Sequence, residues 1–99
     1  MIVIFDKKGF DALFSLDGDT FVGANLANMD LTNGNFVQID LRGADFSHAK
    51  LTHADLRLAD LRGANFSHAD LTGVDFSGAN IADAIFDGAE LTLAKFDSQ

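Results

Sequence analysis

The sequence predicts an all-β solenoid, a chain wound into short-sided coils with a small cap at its N-terminal end. Three observations predict it. An apolar residue recurs at every fifth position from Leu26 to Phe96, and a small residue sits two positions before most of them. The residues between these apolar positions repeat best at a spacing of twenty.

Residues 1–20 stand apart from this pattern. Ile2-Val3-Ile4-Phe5 reads as an apolar strand, and Phe10, Leu13 and Phe14 follow at helical spacing. The segment is expected to be a strand plus a short helical turn that covers the first coil, because a solenoid needs its terminal hydrophobic layer closed. The boundary with the repeats is set at residue 21, giving a cap over 1–20 and a solenoid over 21–99.

In the repeats, the central positions are Leu26, Leu31, Phe36, Leu41, Phe46, Leu51, Leu56, Leu61, Phe66, Leu71, Phe76, Ile81, Phe86, Leu91 and Phe96. The position two before each is usually alanine, with Met29, Gly34, Ile39 and Val74 as exceptions, and the slot between is mostly Asp or Asn. On an α-helix a five-residue step advances about 500°, so the apolar residues would drift around every face. On a long strand an odd period would send them alternately to opposite faces. A chain that turns satisfies both the period and the chemistry. Alanine and leucine two apart share one side of a short extended segment, the next two residues make a corner, and the pattern restarts. Alanine suits the inward position beside the corner, where little room remains.

The number of sides follows from the longer period. Residues 41–60 and 61–80 agree at twelve of twenty positions, against ten for a shift of fifteen. The outer residues favour twenty: Arg42-Gly43 matches Arg62-Gly63, Ser47-His48 matches Ser67-His68, and Thr32, Thr52, Thr72 and Thr92 fall in register. Four sides per coil is the reading adopted.

The run Ala-Asp-Leu-Arg-Gly-Ala-Asn-Phe-Ser-His-Ala-Asp-Leu-Thr-Gly over 59–73 resembles the pentapeptide-repeat family, whose motif is A(D/N)LXX. The resemblance covers about three-quarters of the chain in about fifteen consecutive copies, a repetition that chance does not supply. It implies a right-handed quadrilateral β-helix whose coils stack through backbone hydrogen bonds. At roughly 4.8 Å per coil the repeats would form a rod on the order of 20 Å long. The repeats run to Phe96 with no second cap, so the last coil is expected to expose apolar side chains and unpaired backbone. A homodimer through the C-terminal coils, with Leu91 and Phe96 in its interface, is the expected consequence.

Composition narrows the function. Fifteen acidic residues oppose seven basic ones, a net charge of −8, which disfavours direct contact with nucleic-acid phosphates and favours a basic partner. There is no cysteine, so neither a disulfide nor a thiolate zinc site is available, and a reducing cytoplasm is the expected compartment. The N-terminal apolar run is short and its positive charges, Lys7 and Lys8, come after it, the reverse of a secretory signal; no membrane association is expected.

The acids in the slot before each central residue have a structural reading, since Asp and Asn side chains bond turn backbone. Their functional reading is mimicry of DNA. A narrow rod with regularly spaced carboxylates could occupy the DNA-binding groove of a basic protein or complex. The candidate contacts are Asp45, Asp55, Asp60, Asp70, Asp75, Asp83, Asp87, Glu90 and Asp97, densest after residue 80 where only Lys95 opposes them. Arg42, Lys50, Arg57 and Arg62 partly neutralise the middle.

The family resemblance implies the same option, because the members that protect gyrase from quinolones are understood as DNA mimics. This chain lacks their added loops and C-terminal dimerising helix. Its size and charge are also those of small phage inhibitors of restriction or CRISPR complexes, an analogy only. The expectation is therefore a non-enzymatic, acidic DNA-mimic inhibitor directed at host-defence complexes or at gyrase and topoisomerase. The alternative is a protein-interaction or scaffold module with no nucleic-acid connection.

The remaining motifs have plain readings. With four-sided coils His48 and His68 stack, with His53 around the next corner, and they read as a solvent-facing ladder; no metal and no cofactor are expected. Ser47-His48 and Ser67-His68 lack the enclosure, orienting acid and oxyanion site that nucleophilic catalysis needs. Arg42 and Arg62 read as a charge ladder with Asp40 and Asp60, and Phe36, Phe46, Phe66, Phe76, Phe86 and Phe96 as core.

Overall fold

The structure, a computed structural model, describes residues 2–9, 12–16 and 20–97. It opens with an antiparallel hairpin of β1 (Ile2–Phe5) and β2 (Ala12–Leu16), in which Ile2 pairs with Leu16 and Ile4 with Phe14. The expected helical turn is corrected here: Leu13 and Phe14 lie in β2. Two apolar residues at that spacing fit either element, and the backbone partner offered by the β-branched run of β1 selects the strand. Phe10 lies outside the described residues. The hairpin docks on the first coil through backbone. The Lys7 N–H donates to the Asn33 carbonyl at 2.8 Å, and the Asn35 N–H to that of Phe5 at 2.9 Å. Ile4, 2% exposed, joins the core.

From Asn25 onward every parallel bridge joins residues twenty apart, from Asn25–Asp45 to Asp75–Lys95, so each coil has four sides. The ladder runs both ways between coils. Leu61 donates forward to the Asn80 carbonyl at 2.8 Å, and Asn80 donates back to that of Ala59 at 3.0 Å. Only the slot residue of each side enters the bridge, which is why the sides are too short to form long strands.

Each corner is a four-residue turn, such as that closed by the Ala54 N–H on the Leu51 carbonyl at 2.9 Å. Its third residue has positive φ at every corner from Gly23 to Leu93. That is the position a type II turn reserves for a left-handed residue. Glycine takes six of the corners without cost, Asn28 and Asn33 tolerate it, and Leu58 (φ 63°) and Leu93 (φ 61°) adopt it against their steric preference. The slot residue secures the turn from its N-terminal side. Asp45 Oδ1 accepts the Ser47 N–H, and Asn65 Oδ1 the Ser67 N–H, each at 2.9 Å. The same bond recurs at Asp30, Asn35, Asp55, Asp70, Asp75 and Asn80, so the Asp/Asn preference of the slot has its cause in the backbone.

The core is the inward column of leucines, phenylalanines and alanines. Phe46, Phe66 and Phe86 stack on one side, with centroids 4.8 and 5.3 Å apart; Phe76 and Phe96 stack on the side opposite at 4.9 Å. Edge-to-face contacts join the two stacks, as between Phe66 and Phe76 at 5.8 Å and 88°. The inward direction holds for Phe86 and Phe96, which stack on Phe66 and Phe76, but their expected burial needs a correction. Phe86 is only partly buried and Phe96 is 39% exposed, because no further coil covers them among the described residues.

Candidate interaction surface

The twenty-residue register assigns every outer side chain to one of four sides. The first, centred on Phe21, Leu41, Leu61 and Ile81, carries Asp40 and Asp60 beside Arg42 and Arg62. The second, centred on Leu26, Phe46, Phe66 and Phe86, carries Asn25, Asp45, Asn65 and Ile85. The third, centred on the leucines 31, 51, 71 and 91, carries Asp30, Lys50, Asp70 and Glu90 with its column of threonines. The fourth carries Asn35, Asp55, Asp75 and Lys95, with Arg57 beside Asp55.

The nine candidate carboxylates are therefore not one stripe. Asp60 lies on the first side, Asp45 on the second, Asp70 and Glu90 on the third, and Asp55 and Asp75 on the fourth; Asp83, Asp87 and Asp97 stand at corners of the last coil. They also divide by exposure. Asp45, Asp55, Asp60, Asp70 and Asp75 are half-buried, whereas Asp83, Asp87, Glu90 and Asp97 are exposed.

The half-buried group is engaged in the fold. Asp60 is gripped by Arg62, with Nη2 at 2.6 Å from Oδ2 and Nε at 2.9 Å from Oδ1. Asp40–Arg42 repeats this grip one coil earlier, and Arg42 also reaches Asp60 at 3.9 Å. The expected charge ladder is present and largely neutralises the first side. Hydrogen bonds from Arg42 and Arg62 hold the Asp40 and Asp60 carboxyls below the usual range, as those from Thr72 and Ser47 do for Asp70 and Asp45. Burial pushes Asp55 and Asp75 up, but bonds from Arg57 and Ser77 respectively overcome it and both end lowered.

The exposed group divides in two. Asp83 and Asp87 have no side-chain partner among the described residues. Glu90 accepts from the Thr92 backbone and hydroxyl, and Asp97 accepts the Gly78 N–H at 2.6 Å. These acids ring an apolar end: Leu91 and Phe96 are 38% and 39% exposed, and Leu93 beside them is 78% exposed. Leu93 and Ile85 were not among the sequence candidates. Ile85 stands in a slot that the repeat otherwise fills with polar residues, and Leu93 at a corner position that only Leu58 otherwise gives to an apolar side chain; that mismatch is the signal that could have found them.

Among the described residues, the serines and histidines of the Ser-His pairs are engaged elsewhere than with each other. Ser67 Oγ donates to Asn65 Oδ1 at 2.6 Å, while the His48 and His68 rings stack on each other at 5.0 Å on a convex corner. Among the described residues there is no group of three or more His, Cys, Asp or Glu side chains placed to hold a metal, and no helix long and apolar enough to cross a membrane.

The pentapeptide-repeats family model matches residues 21–57 and 59–97 in eight copies. No curated protein sequence matches the chain. Among solved structures, a pentapeptide repeat protein from the Arabidopsis thaliana thylakoid lumen superposes with a TM-score of 0.78 at 36% identity, covering 81% of this chain and 55% of that one. The pentapeptide repeat protein Rfr23 of the cyanobacterium Cyanothece 51142 gives 0.50 at 29% identity, covering 76% of this chain and 55% of its own. The chain thus spans about half the length of these two proteins.

Proposed function

The chain belongs to the pentapeptide-repeat family, with that family's right-handed four-sided β-helix, and from this we propose that it is a non-enzymatic inhibitor acting by charge mimicry of DNA. The single observation that carries the reading is the last coil. Asp83, Asp87, Glu90 and Asp97 are exposed there with only Lys95 opposing them, while the arginine-paired acids of the earlier coils are spent on the fold. The partner is a basic DNA-binding protein or complex, whose groove takes carboxylates in place of phosphates. Gyrase or topoisomerase and phage-resistance complexes are the target classes, and the site of action is the cytoplasm.

The test is a tagged pull-down from bacterial lysate, including strains that express CRISPR surveillance complexes, with and without excess duplex. Recovery of a basic DNA-binding protein that duplex displaces supports mimicry. The triple reversal Asp83→Lys, Asp87→Lys and Glu90→Lys should weaken that capture at least about tenfold with the circular dichroism spectrum unchanged. Capture indifferent to both duplex and reversal would sink the reading.

A specific observation favours the second reading, a protein-interaction module without a nucleic-acid connection. The acids spread over four sides, whereas duplex phosphates follow two tracks, and Arg42, Arg57 and Arg62 neutralise their neighbours. Partners retained in the presence of duplex mark this case.

We also propose a homodimer in which a second copy covers Leu91, Leu93 and Phe96. The acidic rims of the two copies repel, so association strengthens as salt screens them. Light scattering should show mass rising with protein concentration and with salt; a constant monomer mass at high salt removes the dimer.

A further inference from the structure

We propose that His48 and His68 form a binding site for a first-row transition-metal ion, copper(II) most tightly, clasping two neighbouring coils. The two residues occupy the same corner of consecutive coils and share one backbone conformation, with φ of 58° and 59°. Each is fixed to the coil beneath it, His48 by its N–H on the Ser67 carbonyl at 2.9 Å and His68 by its N–H on the Asp87 carbonyl at 2.8 Å. The side chains therefore leave the rod in parallel, and their rings stack with centroids 5.0 Å apart and planes 17° from parallel. Gly88 completes the arrangement, since a Cβ there would collide with the His68 ring.

Imidazole nitrogen is the ligand first-row ions of borderline softness prefer, with copper(II) at the top of the affinity order. A metal–imidazole bond is about 2.0–2.1 Å, so one ion holds two nitrogens no more than about 4 Å apart. In the stack the ring planes are near parallel and their in-plane nitrogen lone pairs do not converge, so binding requires the two exposed rings to turn about their side-chain bonds until two nitrogens come within that span. The backbone spacing, the costly part of assembling a two-ligand site, is set by the ladder. Water completes the coordination sphere, Asn28 precedes the pair in its column, and the Asp87 carboxylate heads the corner below. Asp45 adds negative potential beside His48.

His53 is the internal control. It stands at the next corner, with Asn33 one coil before it and Gly73 one coil after, and so has no second imidazole in its column.

Titration calorimetry with copper(II), nickel(II) and zinc(II) chlorides tests the site, with electron paramagnetic resonance of the copper form. The chain should bind one copper per molecule, more tightly than nickel or zinc, with two equivalent imidazole nitrogens in the spectrum. His48→Asn and His68→Asn should each weaken copper binding at least about tenfold and leave one nitrogen. Asparagine tolerates the left-handed corner and already fills it at Asn28, so both variants should fold, as circular dichroism will verify. His53→Asn should bind as the parent does. Absence of binding, equal loss in all three variants, or unchanged affinity in the His48 and His68 variants overturns the proposal.

Discussion

Phe66 lies between Phe46 and Phe86 in one stack and meets Phe76 edge-on, fully shielded from solvent. Phe66→Ala should cost about 3–5 kcal/mol, read as a lower urea midpoint, because transfer and cavity terms add. A midpoint unchanged from the parent would contradict its inward placement. Two other residues were harder to read from the sequence. Gly34 replaces alanine in the inward small slot, and a Cβ there would lie 2.6 Å from Phe36 Cε2, so Gly34→Ala should lower stability by about 1–3 kcal/mol although alanine is the repeat's own consensus. Leu93 carries φ of 61° at 78% exposure, where its side chain gains little from burial. Leu93→Asn should raise stability by about 1 kcal/mol, read as a higher urea midpoint, since asparagine adopts this conformation more readily. The period gives the direction of each side chain. It does not give backbone dihedrals or local volume, and these two residues depend on them.

The corner turn is the unit that the Asp/Asn slot builds. Asp45→Ala removes the acceptor of the Ser47 N–H and should destabilise by about 1 kcal/mol, measured in urea. Asp45→Asn should keep most of the stability, because Asn65 makes the same bond at the equivalent place. This element was legible in the sequence, since one chemistry recurs in one slot, and so were the grips of Arg42 on Asp40 and Arg62 on Asp60. The hairpin was legible only in its first half. Leu13 and Phe14 bear a pattern common to helix and strand, and what selects β2 is pairing with β1, a contact absent from local spacing. Of the candidate site, the concentration of acids after residue 80 could be read directly. Their separation into half-buried and exposed groups could not, because it depends on what packs around each carboxylate rather than on its slot bond, which exposed Glu90 makes as half-buried Asp70 does.

Charge belongs to the whole molecule. The carboxyls of Asp30, Asp40, Asp45, Asp55, Asp60, Asp70 and Asp75 are all held below their ordinary value. A lowered folded-state pKa means the unfolded chain binds protons first on acidification. The stabilisation from these groups is complete above the unfolded range near pH 4 and is lost as pH falls through the folded values. Urea midpoints should therefore be flat from about pH 7 to 5 and fall steeply below about pH 4; a midpoint that rises in that acid range would contradict the paired slots. Bridges in the solenoid join each residue only to those one coil away, and the outer register returns every twenty residues. A tandem copy of the gene segment encoding one coil would therefore enter in frame and find its neighbours ready on both sides. Such a lengthened descendant should fold at once, so lineages can adjust rod length by unequal recombination without first redesigning the interior.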